Sequence, residues 1–202
     1  MNSVADIKVA LRSLMNGELA ANLRRNGLSY KLIFGVTWPQ LLELSREIEP
    51  SSRLAVELWG NREVRECRLL AGLVMPACDF TDEDADAWVG DMRFYEEAYY
   101  TTTSLFSKIK HRSTKAFQWI GQSGELRNLC GWVLVNRIFN EGSPLQERSE
   151  DEFIDQAEAV LRGNGGEVYN ACRNAVLKYA LIGEREEKRL GRLLQLIATR
   201  NC

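Results

Sequence analysis

Histidine is almost missing from this sequence: His111 is the only one among 202 residues. Two-imidazole chemistry within one chain, such as a two-histidine zinc site, is therefore excluded. Proline is scarce too, at four residues, which leaves room for long uninterrupted helices. The five cysteines, Cys67, Cys78, Cys130, Cys172 and Cys202, are odd in number, widely spaced and without a CxxC pair. They read as buried or stray thiols of a reducing compartment. No excess of either charge exists, since 26 Lys+Arg meet 28 Asp+Glu for a net charge of −2, which argues against a strongly cationic nucleic-acid wrapper. The opening MNSVADIKVALRSLMNG lacks the apolar run of a signal peptide, and no segment approaches the roughly 20 apolar residues that cross a bilayer. GxGxxG, GxxxxGK[ST], HExxH and GxSxG are all missing, so nucleotide-dependent and serine-hydrolase chemistry has no support. The expectation is a soluble cytoplasmic protein with no membrane segment.

What is present is helical periodicity. Hydrophobic residues make up 45% of the chain and recur at three- and four-residue spacing, with almost no strand-like alternation. Val4, Ile7, Leu11 and Leu14 form a first stripe, a second short helix covers 18–26 before Gly27, and Thr37 with Pro39 opens a third that runs to Ile48. Beyond residue 50 a repeat is visible: Glu63-Val64-Arg65-Glu66-Cys67, Glu125-Leu126-Arg127-Asn128-Leu129-Cys130 and Glu167-Val168-Tyr169-Asn170-Ala171-Cys172 each open a helix after a polar or glycine-rich turn. The first two lie two units of about 31 residues apart, which places a further copy near Phe94; the longer third interval is assigned to an insertion-like loop, NEGSPLQERSED. The pattern predicts one all-α domain over 1–202: N-terminal helices in 1–50, helix pairs in 51–181 and a capping helix in 184–200. Such pairs stack into an α-solenoid of HEAT-like repeats, an α-α superhelix with outer helices near 51–59, 81–89, 113–121 and 151–162 and inner ones near 62–75, 94–108, 125–139 and 167–181.

The inner helices carry the informative side chains. Tyr95 and Tyr99 share a helix face, with Glu96 and Glu97 beside them and Trp132 on a neighbouring helix. Aromatics around a carboxylate suit a cationic planar base and a sugar that gains positive charge as the base departs, although the same aromatics also suit ordinary packing. The run SKIKHRSTK brings Lys108, Lys110, Arg112 and Lys115 around His111 and suits phosphate contacts or a solvated turn. Arg65, Arg68, Arg127, Arg137, Arg173 and Lys178 add positive charge to the inner set, while DFTDEDADAWVGD holds acid elsewhere, so a basic inner wall is compatible with a near-neutral chain.

NGELAANLRRNGLSYKLIFGVTWPQLLELSREI, followed by LAVELWGNREVRECRLLAGLVM, resembles the bacterial DNA alkylation repair family, the HEAT-like alkylpurine DNA glycosylases. The resemblance spans about residues 16–197 and implies a C-shaped solenoid with a concave basic face that holds duplex DNA. It also implies excision of N3- or N7-alkylated purines by hydrolysis of the N-glycosidic bond, without metal or organic cofactor. The family's W-D-x-x-D helix start falls on Tyr95-Glu96-Glu97-Ala98-Tyr99, so tyrosine stands at both the first tryptophan and the catalytic aspartate, and the family arginine falls at Asn128 beside Arg127. Literal identity sets the G-W-V-L segment at Gly131-Trp132-Val133-Leu134; repeat order, which is favoured, sets Ala175 there. A tyrosine with a reference pKa of about 10 supplies no fixed negative charge near neutral pH. The expected catalytic set is then Glu96, Tyr95 and Tyr99, and the expected DNA contacts are Lys108, Lys110, Arg112, Lys115, Arg127, Asn128, Trp132, Arg173 and Lys178. The expected molecule is a monomer, and the alternative function is a catalytically inactive HEAT-like scaffold for nucleic acid or a protein partner.

Overall fold

The computed structural model describes residues 1–142 and 144–200, and the fifth thiol, Cys202, lies outside them. The described residues hold thirteen α-helices, two 3₁₀ turns and no strand beyond an isolated bridge between Leu32 and Val64. None of these helices is long and apolar enough to cross a membrane. The chain divides into two compact units, Met1–Asp84 and Ala85–Cys202.

In the first unit, α1 (Val4–Ser13) and α2 (Gly17–Arg25) start at Ser3 and Asn16, whose side chains accept backbone N–H groups three residues on. The third helix, α3 (Trp38–Arg46), starts where the Thr37 and Pro39 pattern indicates, and Gln40 Oε1 accepts from the Thr37 N–H at 3.0 Å. Helices α4 (Ser52–Trp59) and α5 (Arg65–Val74) form a pair, with α3 also packed on α5. Buried Glu66 pins the connection before α3: its carboxylate accepts backbone N–H groups from Phe34 (3.1 Å), Gly35 (3.0 Å) and Val36 (3.3 Å). Arg65 donates to the Val36 carbonyl at 3.0 Å and Arg68 to the Trp59 carbonyl at 2.7 Å, with the Arg68 guanidinium 3.4 Å above the Trp59 ring centroid. Both arginines are buried, so the inner-wall charge expected from them is spent inside the unit.

The second unit continues the pairing. Helix α6 (Asp82–Asp91) begins at the unit boundary and is followed by α7 (Tyr95–Ser104), α8 (Arg112–Ile120), α9 (Glu125–Phe139), α10 (Glu147–Leu161) and α11 (Glu167–Ala180). The helix expected near Phe94 is α7, with Phe94 as its N-cap. Helix α9 is central: α7 and α11 lie along its two sides, and α8 packs behind it. At the rear contact Gly131 lets α8 come close, because a Cβ there would sit 2.7 Å from Ile120 Cγ2 and 2.8 Å from the Ile120 nitrogen. Phe139, Phe153 and Tyr179 form the aromatic centre of this unit, with ring centroids 4.6–5.4 Å apart.

Several boundaries differ from the sequence pattern: α5 starts at Arg65 and not near 62, and α7 ends at Ser104 with a separate 3₁₀ turn at Phe106–Lys108. Helix α10 starts at Glu147, four residues before the expected Asp151, so the last five residues of the insertion-like loop are helical. Its first turn is held by buried Glu150, which accepts from the Tyr179 hydroxyl (2.8 Å) and from Arg185 (3.0 and 3.1 Å). The capping segment is two helices, α12 (Glu184–Arg189) and α13 (Gly191–Arg200), broken at fully buried Leu190. Its charges do not all face water, since Arg185 and Arg189 turn towards Glu150.

Burial also fixes the thiols. Desolvation pushes Cys67 and Cys130 up to about 12 and raises Cys172 further, whereas Cys78 is exposed.

Candidate functional site

Helices α7, α9 and α11 run in the same direction, because residues near their starts meet one another and residues farther along meet in turn. Between them lie two adjoining depressions of about 230 Å³ each. The first is lined by Tyr95, Glu96, Tyr99, Tyr100, Leu129 and Glu167. The second shares Tyr99, Leu129 and Glu167 and continues through Thr103, Val133, Ala171 and a polar set formed by Asn136, Arg137, Asn140, Asn170 and Asn174. Helical spacing generates this face: 129, 133, 136 and 140 form one stripe of α9, while 167, 170, 171 and 174 form one stripe of α11.

The aromatic end matches part of the expected set. Tyr99 is 50% exposed, with its ring edge-on to Tyr100 at 5.5 Å, and Tyr95 is 42% exposed. The Tyr95 hydroxyl donates to Glu125 Oε1 at 2.6 Å, and this hydrogen bond, with the nearby negative charge, raises the phenol above its ordinary range. Glu96 lines the groove, while Glu97 is buried and accepts from the Arg93 N–H at 2.8 Å. Tyr95, Glu96 and Tyr99 are thus brought together. The carboxylates around them, Glu96, Glu125 and Glu167, make this end acidic.

The expected cation set separates. Lys108 and Lys110 are exposed on and just after the 3₁₀ turn Phe106–Lys108, which packs on α9. Arg112 donates to the Ser107 carbonyl at 2.8 Å and to Glu141 at 2.5 Å. Lys115 is only 7% exposed and donates to Asp86 at 2.6 Å; Trp119 Nε1 donates to the same carboxylate at 2.7 Å. Burial pushes the Asp86 carboxyl up, but these hydrogen bonds and the positive charge of Lys115 outweigh it and hold the group below its usual range. Lys115 therefore belongs to the α6–α8 contact instead of a phosphate-binding surface.

Other expected contacts are structural as well. Asn128 donates to the carbonyls of Trp119 (2.8 Å) and Gln122 (2.7 Å), tying the start of α9 to the end of α8. Arg127 is half-buried and donates to Gln122 at 3.3 Å. Trp132 is 0% exposed and packs 5.9 Å from Phe153 of α10, because 132 falls beside the groove stripe of α9 and its indole is enclosed in the core. A stacking role for it is corrected to a core role. Ala175 is fully buried too, and Arg173 and Lys178 are half-buried on α11. The sequence reading missed Glu125, Glu167 and the asparagines, and it noted Arg137 only as a charge. The available signal was the polar stripe at helical spacing on α9 and α11. No group of three or more His, Cys, Asp or Glu among the described residues is placed to hold a metal ion.

No protein-family model matches the chain, and no curated protein matches it. Among solved structures it is similar to one described as a new family of proteins related to the HEAT-like repeat DNA glycosylases with affinity for branched DNA structures. The two share 18% sequence identity and a TM-score of 0.80, over 94% of this chain and 81% of that chain. The fold is a HEAT-like helical solenoid, as the sequence resemblance implies.

Proposed function

We propose that this chain is a DNA-binding protein of the alkylation repair lineage that engages branched or distorted duplexes through the face of α7, α9 and α11, without excising a base. The observation that supports this reading most is the groove itself, where two exposed tyrosines and Arg137 line an open channel on a fold shared with a protein that has affinity for branched DNA. Tyrosine faces stack on any base, and arginine pairs with phosphate in two-pronged geometry. Lys108 and Lys110 lie just beyond α7 and Arg137 lies in the last turn of α9, where they suit a phosphate backbone. In this role the protein is a cytoplasmic monomer whose partner is DNA.

Excision is the second reading, and one observation favours it: Glu96 lines the same depression as Tyr95 and Tyr99, so a carboxylate stands beside an aromatic surface. Against it, Tyr99 stands where the resemblance places the catalytic aspartate, so the carboxylate that would face the reacting sugar is missing from that position. Binding without excision is therefore the better account.

The experiment compares fluorescence anisotropy of a labelled four-way junction with that of a linear duplex of equal length, together with release of 7-methylguanine and 3-methyladenine from alkylated DNA. The expected result is tighter binding to the junction, an affinity that falls steeply with salt, and no base release. Base release that disappears in Glu96→Gln would replace this reading with the enzymatic one. No DNA binding even at low salt would overturn both.

A further inference from the structure

The second depression is built differently from its surroundings. Its floor is apolar, made by Leu129, Val133 and Ala171, and Tyr99 forms one side. The rest of the rim is polar, with Thr103, Arg137, Asn140 and Glu167 and with three amides inside helices, Asn136 on α9 and Asn170 and Asn174 on α11. Solvent-facing helical positions ordinarily carry lysine, glutamate or other strong helix formers, and asparagine is among the weaker ones. Three of them inside two helices, all turned to one hollow, ask for a reason beyond solubility. Asn136 Oδ1 supplies a second observation, since it is buried and has no hydrogen-bond partner. The fold thus leaves one end of that amide unmet, and rotating the amide presents a donor or an acceptor to the groove.

We infer that this depression seats one unstacked nucleobase that carries an exocyclic amino group, with the adjoining phosphate on Arg137. The inference rests on the DNA-binding reading and says what is recognised there. A nucleobase has apolar faces and a polar edge, which matches a hydrophobic floor beside an exposed tyrosine with amides around the rim. Stacking on Tyr99 accepts any base, so discrimination falls to the edge contacts. Asparagine pairs two-pronged with adenine, and the Glu167 carboxylate accepts from an amino group while it repels the carbonyl that thymine presents instead. A branch point supplies such a base because the stack is interrupted there.

The test uses the full chain and three-way DNA junctions that differ only in one unpaired base at the branch, adenine or thymine, with a linear duplex as reference. The wild-type protein should bind the adenine junction about tenfold more tightly than the thymine junction. Asn170→Ala combined with Asn174→Ala should remove that preference while junction binding persists, and Tyr99→Ala should weaken both junctions about tenfold. Thermal melts of each variant establish that it is folded. Equal affinity for the two junctions, with wild-type affinity kept in the asparagine variant, would overturn the base site and leave branched-DNA binding standing. Loss of all DNA binding by the wild-type chain at low salt would instead remove the DNA-binding reading, and this inference with it.

Discussion

The Tyr95 hydroxyl and the Glu125 carboxylate are 2.6 Å apart, a contact across thirty residues that joins the first turns of α7 and α9. The hydrogen bond stabilises the protonated phenol, so the folded pKa lies above the unfolded one. Its contribution to stability is complete below the ordinary tyrosine range and fades as pH rises through the raised value.

A direct check is spectrophotometric titration of tyrosinate. The wild-type curve minus that of Tyr95→Phe isolates one phenol. The same subtraction in a Glu125→Gln background should give a midpoint at lower pH. An unmoved midpoint would mean that the two side chains do not meet.

Glu150 offers the opposite sign. Burial raises its carboxyl, but hydrogen bonds from Tyr179 and Arg185 outweigh that and hold it below its ordinary value of 4.5. Glu150→Gln should cost about 2 kcal/mol near neutral pH, from the loss of charge-assisted hydrogen bonds. That corresponds to a Tm lower by about 4–8 °C for a chain of this size. Because the folded pKa is depressed, the wild-type advantage is complete above the ordinary carboxylate range and should shrink as pH falls through the folded value. A difference in Tm that stays constant into strong acid would contradict this.

Two glycines are expected to resist alanine. At Gly131 the substitution gains about 1 kcal/mol of helix propensity, whereas overpacking against the Ile120 backbone costs about 1–3 kcal/mol, so the net effect should be destabilising or near zero. At Gly35 the backbone has φ +76° and a Cβ would lie 2.1 Å from the Asn16 carbonyl oxygen. Gly35→Ala should therefore be the more damaging of the two, and denaturant melts that rank them in reverse would refute the packing described for the first unit.

Trp132 and Arg137 separate core from surface. Trp132→Phe should lower Tm and leave DNA affinity unchanged, since the indole is enclosed. Arg137→Ala should leave Tm within a degree or two, weaken DNA binding for every sequence, and reduce the salt slope by about one unit. Anisotropy titrations at several salt concentrations measure both effects.

Much of the fold was legible from spacing. Thr37, Pro39 and Gln40 mark the start of α3 through strictly local chemistry, and the helix at Phe94 follows from the repeat interval. The site was less legible, for a physical reason in each case. Lys108 and Lys115 sit in one basic run, yet a new helix begins between them and turns Lys115 inward to a carboxylate 29 residues away. Glu66, Glu97 and Glu150 look like surface acids, and only their distant or backbone partners make burial tolerable. The amide rim exists only once α9 and α11 lie side by side, so no single segment displays it.

The shared direction of α7, α9 and α11 has an electrical consequence. Each backbone helix carries about half a positive elementary charge at its start and half a negative one at its end. Here the starts bear Glu96, Glu125 and Glu167, while Lys108, Lys110, Arg137 and Lys178 cluster at or beyond the ends, so the side chains reverse the field that the peptide groups set up. A polyanion diffusing towards this surface is turned before it touches, its charge drawn to one end of the groove and held off the other. On the proposed DNA-binding reading, encounter is thus oriented in advance, and the fraction of productive collisions falls as salt shortens the reach of that field.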